Sequence, residues 1–164
     1  MTAGRVAGAV VVLVIVGAYA ALAVRWTAVD PGWYAALPRP RWQPPDVVFG
    51  VIWPLNFVAL CAAGLAVVSQ AAPRDVVVWL ALLVASVAFA VGWAHEFYVP
   101  HHLGRAAVLL AGAAILTWLL VVVTGGLVGW AGWVLVPYAV WLTVATSLAV
   151  GYWHLVPPSA APGS

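Results

Sequence analysis

The sequence predicts an all-α membrane protein, a bundle of five transmembrane helices with an ordered proline- and tryptophan-rich loop between the first and second. Three observations predict it. Of 164 residues, 66% are hydrophobic and 6% charged, with no lysine, and the mean hydropathy is +1.12, which excludes an ordinary soluble domain. The apolar residues fall in runs of about twenty separated by short proline-, glycine- or histidine-containing breaks, and a chain of this length holds about five such spans. Residues 32–57, GWYAALPRPRWQPPDVVFGVIWPLNF, combine Pro38, Pro40, Pro44 and Pro45 with Trp33, Tyr34, Trp42 and Phe49. That loop is too stiff and too aromatic for a solvated linker. Residues 1–156 are expected to form a single domain and 157–164 a small, flexible tail.

The first run, 6–24, is long enough to span. Arg5 and the valine-rich stretch that follows also imitate a signal peptide, but the apolar core exceeds the usual length of about 7–15 residues. The loop after it needs a helix at its upstream end, so the run is read as a retained span. Prolines remove backbone donors and push the preceding residue toward extended geometry, so residues 31–44 are expected to be non-helical and to act as a lid. Helix resumes at Pro44-Pro45-Asp46, where proline suits the first helical positions and Asp46 faces the positive end of the helix dipole.

The second span covers about 46–68 and carries Pro54, which removes one helical hydrogen bond beside Trp53. A polar turn, 70–75, leads to the third span, about 76–98. Ala81, Ala85 and Ala88 are spaced there for close helix contact, while Ser86, Phe89, Trp93 and Phe97 share another face. Pro100, His101, His102 and Gly104 break the chain before the fourth span, about 105–123. Gly125, Gly126, Gly129 and Gly132 are read as the next turn, and the fifth span, about 133–155, carries Pro137, Trp141, Ala145 and Leu148 at helical spacing. No internal repeat is evident.

With five spans, Arg25, Arg39, Arg41 and Arg105 share one membrane face and Arg5 and Arg74 the other. The positive-inside rule places the long loop and the carboxyl terminus in the cytoplasm. The formal charge of +2 forms no dense basic patch, so nucleic acid is not an expected partner. The single cysteine, Cys61, excludes an internal disulfide and reads as a small buried hydrophobe.

Three aromatic stripes suggest a site. Trp53 and Phe57 share one helix face, Phe89, Trp93 and Phe97 another, and Pro137, Trp141 and Ala145 a third. Together they can wall a pocket for large planar apolar ligands under the lid. Trp26, Trp130, Trp133 and Trp153 lie near span ends and read as interfacial anchors; Trp93 fits either role. His95, Glu96, His101 and His102 flank a helix end without a second ligand cluster, so no metal site is assigned. Arg39 and Arg41 suit either an acidic ligand or lipid phosphates. There is no nucleophile with a partnering base, paired carboxylates, phosphate loop or dinucleotide fingerprint, so the chain reads as a non-enzyme.

The pattern Trp33-Tyr34, Leu37, Arg39-Pro40, Trp42, Pro44-Pro45, Phe49 and Trp53, followed by Pro137-Tyr138, Trp141 and Ala145-Thr146, resembles the TspO/MBR family. This family of tryptophan-rich sensory, translocator or peripheral-type benzodiazepine receptor proteins shares the five-span plan. The resemblance implies a commonly dimeric five-helix fold that binds porphyrins such as protoporphyrin IX and haem. In some members it extends to sterols and drugs, and bacterial members act in tetrapyrrole-linked and stress signalling. It places lid residues at Trp33, Tyr34, Arg39, Pro40, Trp42, Pro44 and Pro45. Pocket residues fall at Trp53, Phe57, Trp93, Phe97, Trp141 and Ala145. Ala90 and Ala149 stand where asparagines are common, and Tyr152-Trp153-His154 has no lysine or arginine beyond it, so sterol binding is not carried over.

The resulting expectation is a receptor or sensor in a bacterial cell membrane, requiring no cofactor. A porphyrin would lie between aromatic faces, with Arg39 or Arg41 near its carboxylates; the other partners would be the bilayer and a second copy of the chain. Light- and oxygen-dependent porphyrin degradation and tetrapyrrole or sterol transport are the alternatives.

Overall fold

A computed structural model describes residues 2–156; the tail predicted at 157–164 lies outside the described residues. The elements are α1 (Ala3–Thr27), α2 (Pro31–Ala36), α3 (Asp46–Gln70), α4 (Pro73–Tyr98), α5 (Leu103–Leu127) and α6 (Gly129–Leu155). Five of them, all but α2, are long and apolar enough to cross a membrane. A helix of 25 residues is roughly 37 Å long, enough for a hydrocarbon layer of about 30 Å.

The five long helices close a ring in the order α1, α3, α6, α5, α4, each packed against the next and α4 returning to α1. Val12, Val16 and Tyr19 of α1 meet Leu60 and Val67 of α3, Trp79 and Leu83 of α4, Leu110 and Leu120 of α5, and Leu135, Tyr138 and Leu142 of α6 in one buried cluster. Lipid offers no hydrogen bonds, and inside the ring the buried Ser86, Thr117 and Thr124 are paired while Asn56 Nδ2 has no acceptor. Trp79 Nε1 donates to Thr124 Oγ1 at 2.7 Å, Ser86 and Thr117 share a 2.8 Å bond, and Tyr138 donates to Tyr19 at 3.3 Å. These bonds tie α4 to α5 and α6 to α1.

Several boundaries depart from the sequence expectation. Residues 31–44 are not wholly non-helical, because Pro31–Ala36 forms α2. Its only proline sits at the first helical position, where no intrahelical donor is lost, and the Asp30 side chain accepts from the Trp33 N–H at 2.9 Å. The dense prolines begin only at Pro38. Helix α4 starts at Pro73 rather than near 76, with proline again in the first turn and Asp75 beside the dipole.

The glycine cluster is not a turn. Gly125 and Gly126 are helical, Val128 alone separates α5 from α6, and a Cβ on Gly132 would stand 2.6 Å from Gly125 Cα. Glycine is required there because the two backbones touch. Phe89 faces α5 instead of joining the aromatic stripe, its ring lying where a Cβ on Gly112 would come within 2.5 Å. Ala81 and Ala88 point outward, so the close contact expected of that alanine row is not made within the bundle.

Candidate functional site: an aromatic pocket beneath the lid

Helix α2 and the extended segment 37–45 lie across the end of the ring formed by the amino end of α3 and the carboxyl ends of α4 and α6. Local sequence holds them there. Leu37 and Pro40 are buried, Trp33 stacks on His101 of the α4–α5 turn with ring centroids 3.7 Å apart, and its edge meets Phe97 at 5.6 Å. Tyr34 touches Phe97, Tyr98 and Tyr152 at 6.3, 5.8 and 6.2 Å. Pro40 and Trp42 rest on α6 at Gly151, where an added Cβ would stand 2.9 Å and 3.0 Å from them. Trp42 Nε1 also donates to Ser147 Oγ at 3.2 Å, and the Tyr152 hydroxyl donates to Gln43 Oε1.

Beneath this cover is a cavity of about 40 Å³. Helix α3 contributes Phe49 and Trp53, α4 contributes Trp93, Phe97 and Tyr98, and α6 contributes Trp141, Ala145, Leu148, Ala149 and Tyr152, with Tyr34 as the one lining residue from the lid. Trp53 and Trp93 lie nearly parallel, 6.1 Å apart and 18° between planes, while Trp141 meets Trp53 edge-on at 6.4 Å and Phe49 at 5.2 Å. The indole N–H groups of Trp93 and Trp141 are buried without an acceptor. An unpaired buried donor costs about 1–3 kcal/mol, so these two atoms are the unsatisfied polar feature of an otherwise aromatic wall.

Of the residues expected at the site, Tyr34, Trp53, Trp93, Phe97, Trp141 and Ala145 line the cavity. The others do not, for local reasons. Phe57 lies one turn below Trp53, packed on it at 6.0 Å and on Tyr19 at 5.1 Å, so it supports the wall from behind. Arg39 pairs with Asp46 at 3.1 Å on the exposed outer edge; Trp42 is 57% exposed on the outside of α6. Pro44 and Pro45 lead the chain into α3, and Arg41 is exposed.

Sequence reasoning missed Phe49, Tyr98, Leu148, Ala149 and Tyr152 as lining residues. Phe49 was readable as Trp53 minus four, and Leu148, Ala149 and Tyr152 continue the stripe begun by Trp141 and Ala145. Tyr98 has no periodic signal; it enters as the last residue of α4. The histidine region is engaged otherwise: Glu96 lies 3.0 Å from His102 Nδ1 and 3.3 Å from Arg105 Nε, tying the end of α4 to the start of α5.

Five membrane helices closed around a covered aromatic pocket define a multi-pass integral membrane protein with a small internal aromatic cavity. The TspO/MBR family model matches residues 8–154, and the chain belongs to that family. It is 32% identical to Protein CrtK of Rhodobacter capsulatus, over 78% of this chain and 81% of the relative. It is also 32% identical to a tryptophan-rich sensory protein of Cereibacter sphaeroides, over 71% and 72%. The human translocator protein is 30% identical over 74% of this chain and 73% of its own length.

Proposed function

We propose that this protein is a membrane receptor or sensor that binds a porphyrin, such as protoporphyrin IX or haem, or a similar planar apolar ligand, in the pocket between α3, α4 and α6. The observation that carries the reading is the pair of buried, unpartnered indole donors of Trp93 and Trp141 set in an aromatic wall. Rings supply stacking area, and the donors supply orientation toward acceptors on the ligand. The relatives' names, sensory protein and translocator protein, favour the same class.

A cavity of about 40 Å³ is far below the roughly 300–1,000 Å³ of a site that engulfs a small molecule. The described conformation is therefore the closed one, and binding requires Tyr34 and the lid to lift. The Arg39–Asp46 pair is 46% and 65% exposed, and such pairs are worth about 0–1 kcal/mol. Arg39 can thus exchange Asp46 for a ligand carboxylate when the lid moves.

We place the lid and the α6 carboxyl end on the cytoplasmic side from the arginine distribution. The outward alanines of α4 form the face for a second copy of the chain. A second reading, light- and oxygen-dependent porphyrin degradation, is favoured by the mutual contact of Trp53, Trp93 and Trp141, three oxidisable indoles beside a bound chromophore. Comparing bleaching of bound and free porphyrin under illumination, with and without dioxygen, separates the two readings.

The deciding experiment is a dark titration with protoporphyrin IX, following tryptophan quenching, on the native protein and a Trp53→Phe/Trp141→Phe double variant. Saturable binding in the micromolar range or tighter, roughly 8 kcal/mol, that the double variant loses is the expected result. Absence of saturable binding, or equal binding by both proteins, would overturn the assignment.

A further inference from the structure

At the opposite end of the ring from the lid, the first turns of α1 touch α3 where Gly8 meets Val68 but leave a gap beside the start of α4. A cavity of about 590 Å³ separates the first turns of α1 from the end of α3 and the start of α4. Its origin is in the sequence. A Cβ on Gly8 would meet Val68 at 3.0 Å, which is where α1 touches α3, whereas a Cβ on Gly4 would meet nothing within 4 Å. The cap and first turns of α1 face the gap with Thr2, Gly4, Arg5, Ala7, Gly8 and Val11, of which Gly4, Ala7 and Gly8 carry no more than a methyl group and leave the space opposite Val77 and Leu80 of α4 unfilled.

The position of this cavity in the bilayer follows from charge. Between Arg5 and Arg25 the chain carries no ionisable side chain except Tyr19, so Arg5 stands at one interface and the residues after it enter hydrocarbon. Val11, six residues on, lies about 9 Å deeper at 1.5 Å per residue. The cavity therefore begins at headgroup level, with Arg5 and Thr2 at its mouth, and runs down an apolar slot to Val11 and Leu80. It opens outward, since its lining residues Val11 and Val77 are 42% and 66% exposed.

An apolar opening of this kind does not hold water, which needs two to four polar partners, and is suited to an acyl chain. Its volume is that of about twenty water-sized units at ~30 Å³ each, enough for a long stretch of one chain. At the mouth, Arg5 makes no ion pair among the described residues, where the bridges engage only Arg39, His95, His102 and Arg105 with their acids. The same face adds Arg74 and Asp75, leaving it net positive. An unpaired guanidinium above an apolar slot is complementary to a lipid phosphate above its acyl chain.

We infer that this cavity is a site for one anionic glycerophospholipid, whose phosphate rests on Arg5 while an acyl chain fills the slot between α1 and α4. The inference is independent of what the lid pocket binds. The bound lipid completes the α1–α4 seam that the small residues of α1 leave open.

The test uses the full chain in phosphatidylcholine vesicles doped with either phosphatidylglycerol or phosphatidylcholine carrying a diazirine in the acyl chain. Irradiation is followed by mass-spectrometric mapping of the adducts. Adducts concentrated on the peptides holding Val11, Val77 and Leu80 are expected, with phosphatidylglycerol favoured about fivefold, the ~1 kcal/mol that one arginine is worth beside an anionic surface. Arg5→Gln, an exposed change that leaves folding intact, should abolish the preference for phosphatidylglycerol but keep chain labelling. Gly4→Phe should fill the slot and remove labelling by both lipids, with its melting temperature serving as the folding control. Even labelling around the bundle, equal labelling by the two lipids in the native protein, or protein–protein adducts at these positions would overturn the inference.

Discussion

His101 lies flat on Trp33, ring centroids 3.7 Å apart and planes within 16°, so the α4–α5 turn clasps the lid helix directly. His101 adopts φ 60°, a left-handed conformation that histidine, asparagine and aspartate tolerate better than most residues. His101→Asn therefore keeps the turn and deletes the stack. Ring stacking of this kind is worth about 0.5–1.5 kcal/mol, so the open lid should become roughly two- to tenfold more populated. Amide exchange of residues 33–43 should quicken by that factor, and Trp33→Ala should add little to His101→Asn if the two rings act as one unit. Unchanged exchange in His101→Asn would show that the lid is held elsewhere.

The contact of Gly132 with Gly125 is one of backbone on backbone. A Cβ at 132 meets Gly125 Cα at 2.6 Å, Gly125 N at 2.8 Å and the Val121 carbonyl at 3.1 Å, none of which can rotate away. Gly132→Ala should destabilise the bundle by about 1–3 kcal/mol through forced separation of α5 and α6. Gly126→Ala, whose Cβ meets nothing within 4 Å, should be neutral or stabilise by up to about 1 kcal/mol through helix propensity. Thermal unfolding in one detergent compares them, and equal shifts would contradict the close-contact account.

The same pair explains what was legible in the sequence and what was not. Five spans were readable because twenty apolar residues in a row have few other uses, whereas the ends were not, because glycine and proline mean different things inside a membrane. Gly125 and Gly126 look like a turn by composition but are helical, Gly125 serving the contact with Gly132, and Pro73 looks like a break but begins α4. Helix α2 was hidden because four later prolines colour a window whose first six residues contain only Pro31.

For the pocket, spacing of three and four found Trp53, Trp93, Phe97, Trp141 and Ala145, since one inward position on a helix repeats at that interval. Spacing alone does not say which neighbour a ring meets, and so Phe89 went to Gly112 and Phe57 to Tyr19. Arg39 suggested a ligand carboxylate, yet Asp46, seven residues on, is its partner.

Trp79 and Thr124 form a buried bond of 2.7 Å between α4 and α5; Trp79 is fully buried and Thr124 also donates to the Leu120 carbonyl. Thr124→Val preserves shape and removes the acceptor, leaving the indole N–H unpaired at a cost of about 1–3 kcal/mol. Thr124→Ser restores the acceptor and should recover most of that loss. A melting temperature ranking native, then Ser, then Val checks this; a Val variant as stable as native would mean the bond contributes nothing net.

Trp93 and Trp141 present the converse case, donors already without acceptors in the closed pocket. Replacing either indole by its benzothiophene analogue swaps N–H for sulfur while keeping ring size, so the stacking of Trp53 on Trp93 and the edge contact with Trp141 persist. Without ligand, removing an unsatisfied donor should leave stability unchanged or raise it by up to about 1–3 kcal/mol. With ligand, each substitution should forfeit one hydrogen bond, about 0.5–1.5 kcal/mol, or a two- to tenfold weaker affinity for protoporphyrin IX. The opposite signs in the two states are what distinguish a recognition role from a packing role. Equal melting temperatures together with equal affinities would mean that neither N–H meets the ligand, and that the rings of this pocket bind by shape and stacking alone.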